Sequence, residues 1–459
     1  MGAAKRKVQP PIRANVKEKQ FVYTSFAADY EGKTDKHVLQ GTHMQNCDCT
    51  GGKLRLMGAL NYCKTPKGDS NLRLPNNVNL PTALYELNRR DGDVAKRAIC
   101  MTMENGDLYT IATGKSSWSN AYNVGKNSKG ILVYDEQNKQ ALVFVGEEGV
   151  FMYNIDAGQW CTKKQMLPMG CYIKGRLFGA TPQGKLVYFS PFNPRFYQET
   201  LEDGGEVQLP QELGEIVDIA GVGDCVYVFC EYGIFRLQVM ASAREFCITV
   251  VPYTGGRIFR DSACATLQNG GEVFFMTTDG LCTVKGEKVV CFGPLGKINV
   301  DCKQGTCKSW LVENKYVVEV QELYGEKHRF AVDLETKQAY PFVHYDCMTT
   351  CLGGALIVRE RSIYYLCMHH GQNSAEDMFF QALLDFGTNK KKLLKRLVFT
   401  GYNGALGYVE SEYGKRSFYA DCGEGGVDIH LQGKVFTLHL ENYNDTCLTG
   451  MTADVVTLQ

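Results

Sequence analysis

The sequence predicts an all-β protein: a β-propeller of six to eight blades, with seven as the simplest count, followed by a small C-terminal β-sandwich. Two observations predict the propeller. Short apolar runs alternate with tight glycine-containing turns, and this unit recurs about every 35 to 50 residues, close to the period of a four-stranded blade. A third observation predicts the sandwich, because short strands with clean polar–apolar alternation follow one another after residue 390.

The clearest blades lie in residues 215–292. Two apolar runs, Ile216–Val222 and Cys225–Cys230, are separated by Gly223-Asp224, a dipeptide typical of a short hairpin turn. From Gly233 onward polar and apolar side chains alternate, which is the period of a strand with one wetter face. The unit then recurs, with strands and turns at Glu272–Thr277, Asp279-Gly280, Leu281–Val284, Gly286-Glu287 and Lys288–Phe292.

The remaining blades are marked by a glycine, or a residue in its place, that opens a new strand after an apolar run. This pattern extends the propeller over roughly residues 80–390. Its irregular spacing argues against a solenoid, whose stacked repeats contact only their neighbours and tolerate little variation. The alternative is a set of unrelated hairpins in stacked sandwiches. The marking residues are Gly106, Gly149, Gly184, Gly325 and, in place of glycine, Arg361.

Three regions are predicted along the chain. Residues 1–50 form an N-terminal arm, basic at its start, which is either a solvated tail or a segment that docks on a neighbouring subunit. Residues 51–390 form the propeller with its approach segment, where Leu54–Tyr62 and Ala83–Leu87 are candidate strands and this segment can supply the strand that closes the ring. Residues 391–459 form the C-terminal β-sandwich.

The predicted sandwich is preceded by a lysine run, Lys390-Lys391-Lys392, which is read as a solvated linker, with a phosphate-facing patch as the alternative. Gly-rich turns then separate six short strands, as in a small two-layer sheet fold. The predicted strands are Arg396–Tyr402, Leu406–Ser411, Arg416–Asp421, Val427–Leu431, Val435–Leu440 and Thr452–Leu458.

Composition limits the classes of function. Lys plus Arg equals Asp plus Glu, at 50 each, whereas a chain that binds nucleic acid over its whole surface is normally basic. The 19 cysteines have no repeated spacing and no apolar leader precedes them, so we expect reduced thiols and synthesis in a cytoplasm. No apolar run approaches the ~20 residues of a membrane-spanning helix.

No catalytic, cofactor-binding or metal-binding residue is predicted, and we do not expect an enzyme. The sequence lacks G-x-S-x-G, H-E-x-x-H and Walker-type motifs. Three cysteine-containing groups lack the paired spacing of a zinc site. The aromatic and proline-rich loop Ser190–Tyr197 either caps its own blade or contacts a sugar or a protein. The cysteine groups are Cys47-Asp48-Cys49, Cys302 with Cys307, and His344 with Cys347 and Cys351.

Several segments resemble the blades of bacteriophage tail propeller proteins, such as the nozzle and DNA-stabilisation proteins of short-tailed phages. These are IVDIAGVGDCVYVFCEYGIFRLQV, RDSACATLQNGGEVFFMTTDGLCTVKG and GKLVYFSPFNPRFYQE. The segment from KRLVFTGYNGALGYVESEYGKRSFYADC to LQGKVFTLHLENYNDTCLTGMTADVVTL is similar to the β-sandwich that often follows such a propeller. The resemblance covers roughly residues 80–459 and is one of pattern.

This resemblance implies a structural virion protein without cofactor or enzymatic activity. Copies would form a ring, commonly a hexamer in that family, as a nozzle or adaptor around the DNA exit channel, and would help to retain and eject the genome. Its partners would be copies of itself, the portal or adaptor and other tail proteins, with transient contact to genomic DNA and none to a membrane. The implied location is the virion tail, assembled in the cytoplasm of a bacterial host.

Two other classes of function stay open. A glycan-acting or glycan-binding propeller would present carboxylates and aromatic side chains at one mouth of the ring. A cytoplasmic protein-interaction propeller is the other, although the sequence has no WD or kelch signature.

Overall fold

The computed structural model describes residues 18–458 with gaps, of which those of six residues or more are 28–35, 156–161, 191–203, 294–306 and 368–378. Within the described residues all forty elements are β-strands, as the alternating sequence pattern predicts. They form two compact units: residues 1–57 together with 377–459, and residues 58–376.

The second unit is a β-propeller in which each four-stranded sheet is one blade. The described residues form seven such sheets, within the predicted range of six to eight. Six of them pair four consecutive strands in chain order, and the seventh takes its fourth strand from the beginning of the unit. The strands of blades 1 to 7 are, for blade 1, β7 (Ala83–Asp91), β8 (Val94–Thr102), β9 (Asp107–Ala112) and β10 (Ser119–Asn123); for blade 2, β11 (Lys129–Tyr134), β12 (Gln140–Gly146), β13 (Gly149–Tyr153) and β14 (Thr162–Lys163); for blade 3, β15 (Met169–Ile173), β16 (Arg176–Ala180), β17 (Lys185–Phe189) and β18 (Gly205–Gln208); for blade 4, β19 (Ile216–Val222), β20 (Cys225–Cys230), β21 (Gly233–Gln238) and β22 (Cys247–Val251); for blade 5, β23 (Cys264–Thr266), β24 (Glu272–Thr277), β25 (Gly280–Lys285) and β26 (Lys288–Gly293); for blade 6, β27 (Cys307–Val312), β28 (Lys315–Gln321), β29 (Lys327–Asp333) and β30 (Ala339–Pro341); and for blade 7, β31 (Cys347–Cys351), β32 (Gly354–Arg359), β33 (Ser362–Cys367) and β6 (Ala59–Tyr62).

The seven blades close into a ring around a central channel. The first strand of each blade contacts the first strand of the next, and β31 of blade 7 returns to β7 of blade 1. Closure uses β6, which pairs antiparallel with β33 so that Ala59 lies opposite Cys367 and Tyr62 opposite Tyr364. The predicted origin of the closing strand in the approach segment is therefore confirmed.

The segment that follows the closing strand is bonded to the same blade. Leu74 N donates to Arg361 O over 2.9 Å, and Ile363 N donates to Leu72 O over 3.0 Å. Arg361 adopts a φ of 64°, the left-handed conformation that usually selects glycine. Its side chain donates to Val78 O over 3.0 Å and also to Pro75 O. These bonds explain how arginine replaces the glycine of other blades, because the side chain fastens the closing segment.

Apolar side chains fill the spaces between neighbouring blades. Strand β20 is buried along its whole length, because blades 3 and 5 cover its two faces. Burial of each large apolar side chain contributes roughly 1.5–3 kcal/mol. A continuous apolar run is therefore the sequence signal of a second strand in a blade, as with CVYVFC. One interface, between blades 3 and 4, contains Phe178, Leu186, Ile219, Val226, Val228 and Leu237.

The first unit is a sandwich of two six-stranded sheets around one apolar core. One sheet has the order β38-β35-β40-β5-β4 with β1 also paired to β40, and the other has the order β2-β3-β34-β39-β36-β37. Inward side chains such as Phe380, Phe399, Leu438 and Leu440 are fully buried between them. The strands are β1 (Glu18–Tyr23), β2 (Ser25–Ala27), β3 (Val38–Gln45), β4 (Cys47–Asp48), β5 (Leu54–Leu56), β34 (Phe379–Leu384), β35 (Lys392–Tyr402), β36 (Gly404–Ser411), β37 (Gly414–Asp421), β38 (Val427–Gly433), β39 (Phe436–Glu441) and β40 (Cys447–Thr457).

This arrangement corrects the predicted domain boundaries of 1–50, 51–390 and 391–459. The described residues of the predicted arm form strands of the sandwich, because Phe26 and Leu39 enter its core and β1 pairs with β40. At the other end, β34 belongs to the sandwich and not to the propeller. The predicted strand Leu54–Tyr62 is two strands, one in each unit. The propeller is thus inserted into the sandwich sequence.

Two further expectations are corrected. Lys392 is not a solvated linker residue, because it is only 1 % exposed and its ammonium donates to Asp385 O over 2.8 Å and to Thr388 O. Not all cysteines are free thiols, because Cys282 and Cys291 form a disulfide between β25 and β26. The turn at Gly286-Glu287 sets this register and places the two cysteines opposite each other. No other disulfide joins two cysteines of the described residues.

Replacement of Leu60 by Ala in the closing strand should lower the unfolding midpoint of the protein. Leu60 is buried, and a Leu-to-Ala change in a core costs about 2–5 kcal/mol. Asn61→Ala changes the exposed neighbour in the same strand and serves as the control. Thermal unfolding and limited proteolysis measure both variants. Equal stability of the two would contradict a role of β6 in holding the ring closed.

Candidate functional site: the charged mouth of the channel

The first strands of the blades bring charged side chains together at one mouth of the channel. Lys129 is the first residue of β11 in blade 2, Asp218 is the third residue of β19 in blade 4, and Asp261 lies shortly before β23 in blade 5. First strands line the axis of a propeller, so side chains from blades that are not neighbours can meet there. Sequence reasoning missed this group, because its members lie 89 and 132 positions from Lys129 in the chain.

One ammonium group bridges two carboxylates in this cluster. Lys129 Nζ lies 3.4 Å from Asp218 Oδ1 and 3.4 Å from Asp261 Oδ1. The Asp218 side chain is completely buried, whereas the side chains of Lys129 and Asp261 are 38 % and 45 % exposed. Asp218 also accepts hydrogen bonds from Ile219 N over 2.8 Å and from Ala263 N over 2.7 Å. The buried carboxylate is therefore satisfied at both oxygens.

The pKa shifts follow from this geometry. Burial lowers the pKa of Lys129, but Asp218 and Asp261 raise it by more, so its net pKa is above the ordinary value. Burial raises the pKa of Asp218, Lys129 opposes this effect, and the neighbouring Asp261 adds to it. Lys129 is therefore a permanent cation at neutral pH, and Asp218 holds its negative charge less firmly than an ordinary aspartate does.

A neutral hydrogen-bond network continues the cluster around the mouth. Ser309 Oγ of blade 6 donates to Asp261 O over 3.2 Å and lies 3.2 Å from Cys264 Sγ. In blade 1, Tyr85 Oη accepts a hydrogen bond from Gly130 N over 2.8 Å. Burial raises the pKa of Cys264 to about 11, so this thiol is protonated and is not a nucleophile. Hydrogen bonds and ion pairs at this mouth therefore connect blades 1, 2, 4, 5 and 6.

A cleft of about 380 Å³ lies between blades 7 and 1. Blade 7 supplies Asn61, the neighbouring Cys63 and Tyr365, and blade 1 supplies Glu86, Asn88 and Arg97. Another cleft, of about 350 Å³, is lined by polar side chains around the β8–β9 turn, among them Glu104, Asn105, Asp107 and Lys126.

The cysteine groups singled out in the sequence are only partly within the described residues. Among the described residues no group of three or more His, Cys, Asp or Glu side chains is arranged to hold a metal ion. Cys347 and Cys351 lie four residues apart on β31, which separates them by roughly 13 Å along a strand. Cys47 Sγ donates to Phe379 O over 2.9 Å. Cys302 and residues 191–197 of the aromatic loop lie outside the described residues.

In the part of the chain that the structure describes, there is no helix long and apolar enough to span a bilayer.

Comparison with known proteins assigns no family. No protein-family model and no curated protein matches the chain. Solved structures do. The extracellular domain of a putative one-component system from B. thetaiotaomicron is 13 % identical, with a TM-score of 0.45, and the match covers 80 % of this chain and 47 % of that one. This chain thus spans about half the length of that bacterial domain.

Two further matches cover nearly the whole of the other chain. The WD40 β-propeller domain of Doa1 is 11 % identical, with a TM-score of 0.40, and the match covers 64 % of this chain and 96 % of that one. A chain of the mitotic checkpoint complex is 8 % identical, with a TM-score of 0.41, and the match covers 65 % and 98 %. None of the three is a phage protein. At such identities and TM-scores these likenesses say nothing about function, and the assignment as an all-β propeller follows from the strand pairing of this chain.

Replacement of Lys129 by Met should destabilise the protein by roughly 3 kcal/mol, because the Asp218 carboxylate would stay buried without its cation. This is the low end for a buried pair, since Lys129 keeps 38 % of its exposure. The double variant Lys129→Met with Asp218→Asn should recover most of the loss. Chemical denaturation measures both. Lys174→Met, which removes a surface pair 2.7 Å from Asp224, is the control and should cost less than about 1 kcal/mol.

The deficit of Lys129→Met should also shrink as the pH falls from 8 to 5. Loss of the ammonium leaves burial to raise the pKa of Asp218 further above its unfolded value. A carboxyl group with a raised folded pKa destabilises the fold above that pKa, and protonation removes this penalty. Unfolding midpoints of variant and parent across this pH range test the sign. A pH-independent gap would show that Asp218 stays uncharged or finds another partner.

Proposed function

We propose that this chain is a structural virion protein of a bacteriophage tail. Copies form a ring, a nozzle or adaptor, around the DNA exit channel and help to retain and eject the genome. The observation that carries the proposal is the series of blade segments that resembles phage tail propellers, represented by residues 215–292, which fold as two complete four-stranded blades.

The mouth of the channel supports a structural role over an enzymatic one. A glycan-hydrolysing propeller needs two carboxyl groups free to act on a bound sugar. Here Asp218 is fully buried and both Asp218 and Asp261 face Lys129. Carboxylates that are paired with a lysine in this way stabilise the ring and are poorly placed to transfer protons to a substrate.

The same cluster limits where DNA can pass. Side chains of blades 2, 4 and 5 contact one another at 3.4 Å across the axis, so a DNA duplex cannot pass between them. The genome would therefore run through the centre of a ring of copies and not along the axis of a single propeller. Oligomerisation is thus a requirement of the proposal.

The net charge and the exposed apolar side chains fit a subunit of such a ring. The 50 basic and 50 acidic residues balance, so the ring would not grip the phosphate backbone strongly as DNA moves. Several large apolar side chains of the propeller are exposed and supply contact area for neighbouring subunits. Examples in blade 4 and in the segment after β23 are Tyr232 at 58 %, Val250 at 59 % and Leu267 at 78 % exposure.

Peptide mass spectrometry of density-purified phage particles tests the proposal. The particles come from the culture that is the source of the sequence. We expect peptides of both the propeller and the sandwich, at about six copies per particle relative to the portal ring. Electron microscopy of tails from the same preparation should show a ring at the DNA exit.

Absence of the chain from intact particles, with the other tail proteins present, would overturn the proposal. A single copy per particle would exclude the ring. Detection of the chain only in the soluble fraction of infected cells would instead place it outside the virion.

A further inference from the structure

We infer that the cleft between blades 7 and 1 is a saccharide-binding site for a neutral mono- or disaccharide unit. This inference is independent of the proposed role in a tail ring. Its volume of about 380 Å³ lies in the lower part of the range of small-ligand pockets, which are about 300–1,000 Å³. That size admits a short sugar and excludes a packed protein segment or a duplex.

The cleft combines the groups that sugars require. A pyranose ring has an apolar C–H face and an edge of hydroxyl groups, each of which donates and accepts hydrogen bonds. Tyr365 contributes an aromatic wall, and planar amide, guanidinium and carboxylate groups contribute paired donors and acceptors from Asn61, Asn88, Arg97 and Glu86. Such planar groups bond well to two neighbouring hydroxyls.

Two of these side chains are exposed to solvent, so a ligand can replace the water on their amides. The side-chain amides of Asn61 and Asn88 make no hydrogen bond within the described part of the chain; the hydrogen bond of Asn88 is made by its backbone N–H to Gln140 Oε1 over 2.7 Å. Both residues line the cleft from opposite blades. A ligand between them would therefore bond to both walls.

The charged pair is held in place before a ligand arrives. Arg97 Nε lies 2.6 Å from Glu86 Oε1, and Arg97 Nη2 donates to Cys63 Sγ over 3.6 Å. The Glu86 side chain is only 7 % exposed, and that of Arg97 is 32 % exposed. These bonds use part of the guanidinium's five N–H donors and leave others for a ligand. Preorganised polar groups reduce the cost of binding.

The cleft has no strong field for a phosphate or a polyanion. Glu86 and Arg97 neutralise each other inside it. Lys64 borders it with an exposed ammonium that donates to the neutral Asn71 Oδ1 over 2.7 Å, so solvent and salt screen its one positive charge. Burial raises the pKa of the Cys63 thiol, so no thiolate is present for covalent chemistry. Glycoside cleavage needs two carboxyl groups, and the lining supplies one, Glu86, which is paired with Arg97, so the site is suited to binding.

A glycan array with the full-length protein tests this inference. The array carries neutral hexoses, 6-deoxyhexoses and N-acetylhexosamines beside sialylated and uronic-acid glycans. We expect binding to a neutral class, with a Kd of about 0.1–1 mM for the free mono- or disaccharide by isothermal titration calorimetry. Asn61→Ala and Asn88→Ala should each weaken it about tenfold, through loss of a ligand hydrogen bond.

Asn120→Ala on the outer strand of blade 1 is the matched control and should bind as the parent does. Circular dichroism of each variant shows that it is folded. No binding of any saccharide at 10 mM (roughly tenfold above the weakest expected Kd), binding of acidic glycans alone, or equal binding by the Asn61 and Asn88 variants would overturn the inference. None of these outcomes depends on virion incorporation, so this experiment tests the saccharide site independently of the proposed tail function.

Discussion

The pairing of β6 with β33 is the constraint on which the rest of the structure depends. It joins residues that are about 300 positions apart, so its loop-closure cost must be offset by contacts made only when all blades are stacked. An open ring would leave strand edges and the apolar faces of blades 1 and 7 in water. Since Ala59 lies opposite Cys367, the chain enters and leaves the propeller at neighbouring points. Both flanking segments can therefore join one sandwich, as residues 1–57 and 377–459 do.

Polar side chains have two different roles within the propeller. At the channel mouth, Lys129, Asp218 and Asp261 are bonded to one another across blades that are not neighbours, and Asp218 is further held by two backbone amides. Their hydrogen bonds and ion pairs are made to other protein groups and hold the blades together. In the cleft between blades 7 and 1, Glu86 and Arg97 are also paired, but two amides beside them have no protein partner among the described residues. These two amides are exposed and hydrated, so a ligand in the cleft can replace that water, as the inferred saccharide site requires.

The proposed tail ring and the inferred sugar-binding cleft are compatible in one molecule. Rigid closed sheets suit a wall that withstands the passage of DNA, while loops and inter-blade clefts at its surface remain available for recognition. The balanced net charge is compatible with both proposals, because neither requires strong binding to phosphate. The fold alone decides neither role, since propellers carry many unrelated functions on one architecture.

The sequence by itself determined the local elements. Strands such as Ile216–Val222 and Cys225–Cys230 are found at their predicted bounds, because continuous apolar runs and Gly-Asp turns report burial and hairpins directly. The sequence also determined the register of the β25–β26 hairpin, because its turn at Gly286-Glu287 places Cys282 opposite Cys291. The sequence also predicted that the approach segment closes the ring, but only the tertiary structure showed that β6 is the closing strand and β33 its partner. The pairing of β1 with β40 and the contact of Lys129 with Asp218 likewise appear only in the tertiary structure. Periodicity reports how a segment is buried but not by what, so the split of Leu54–Tyr62 between two units, the burial of Lys392 and the composition of the cleft had no local signal.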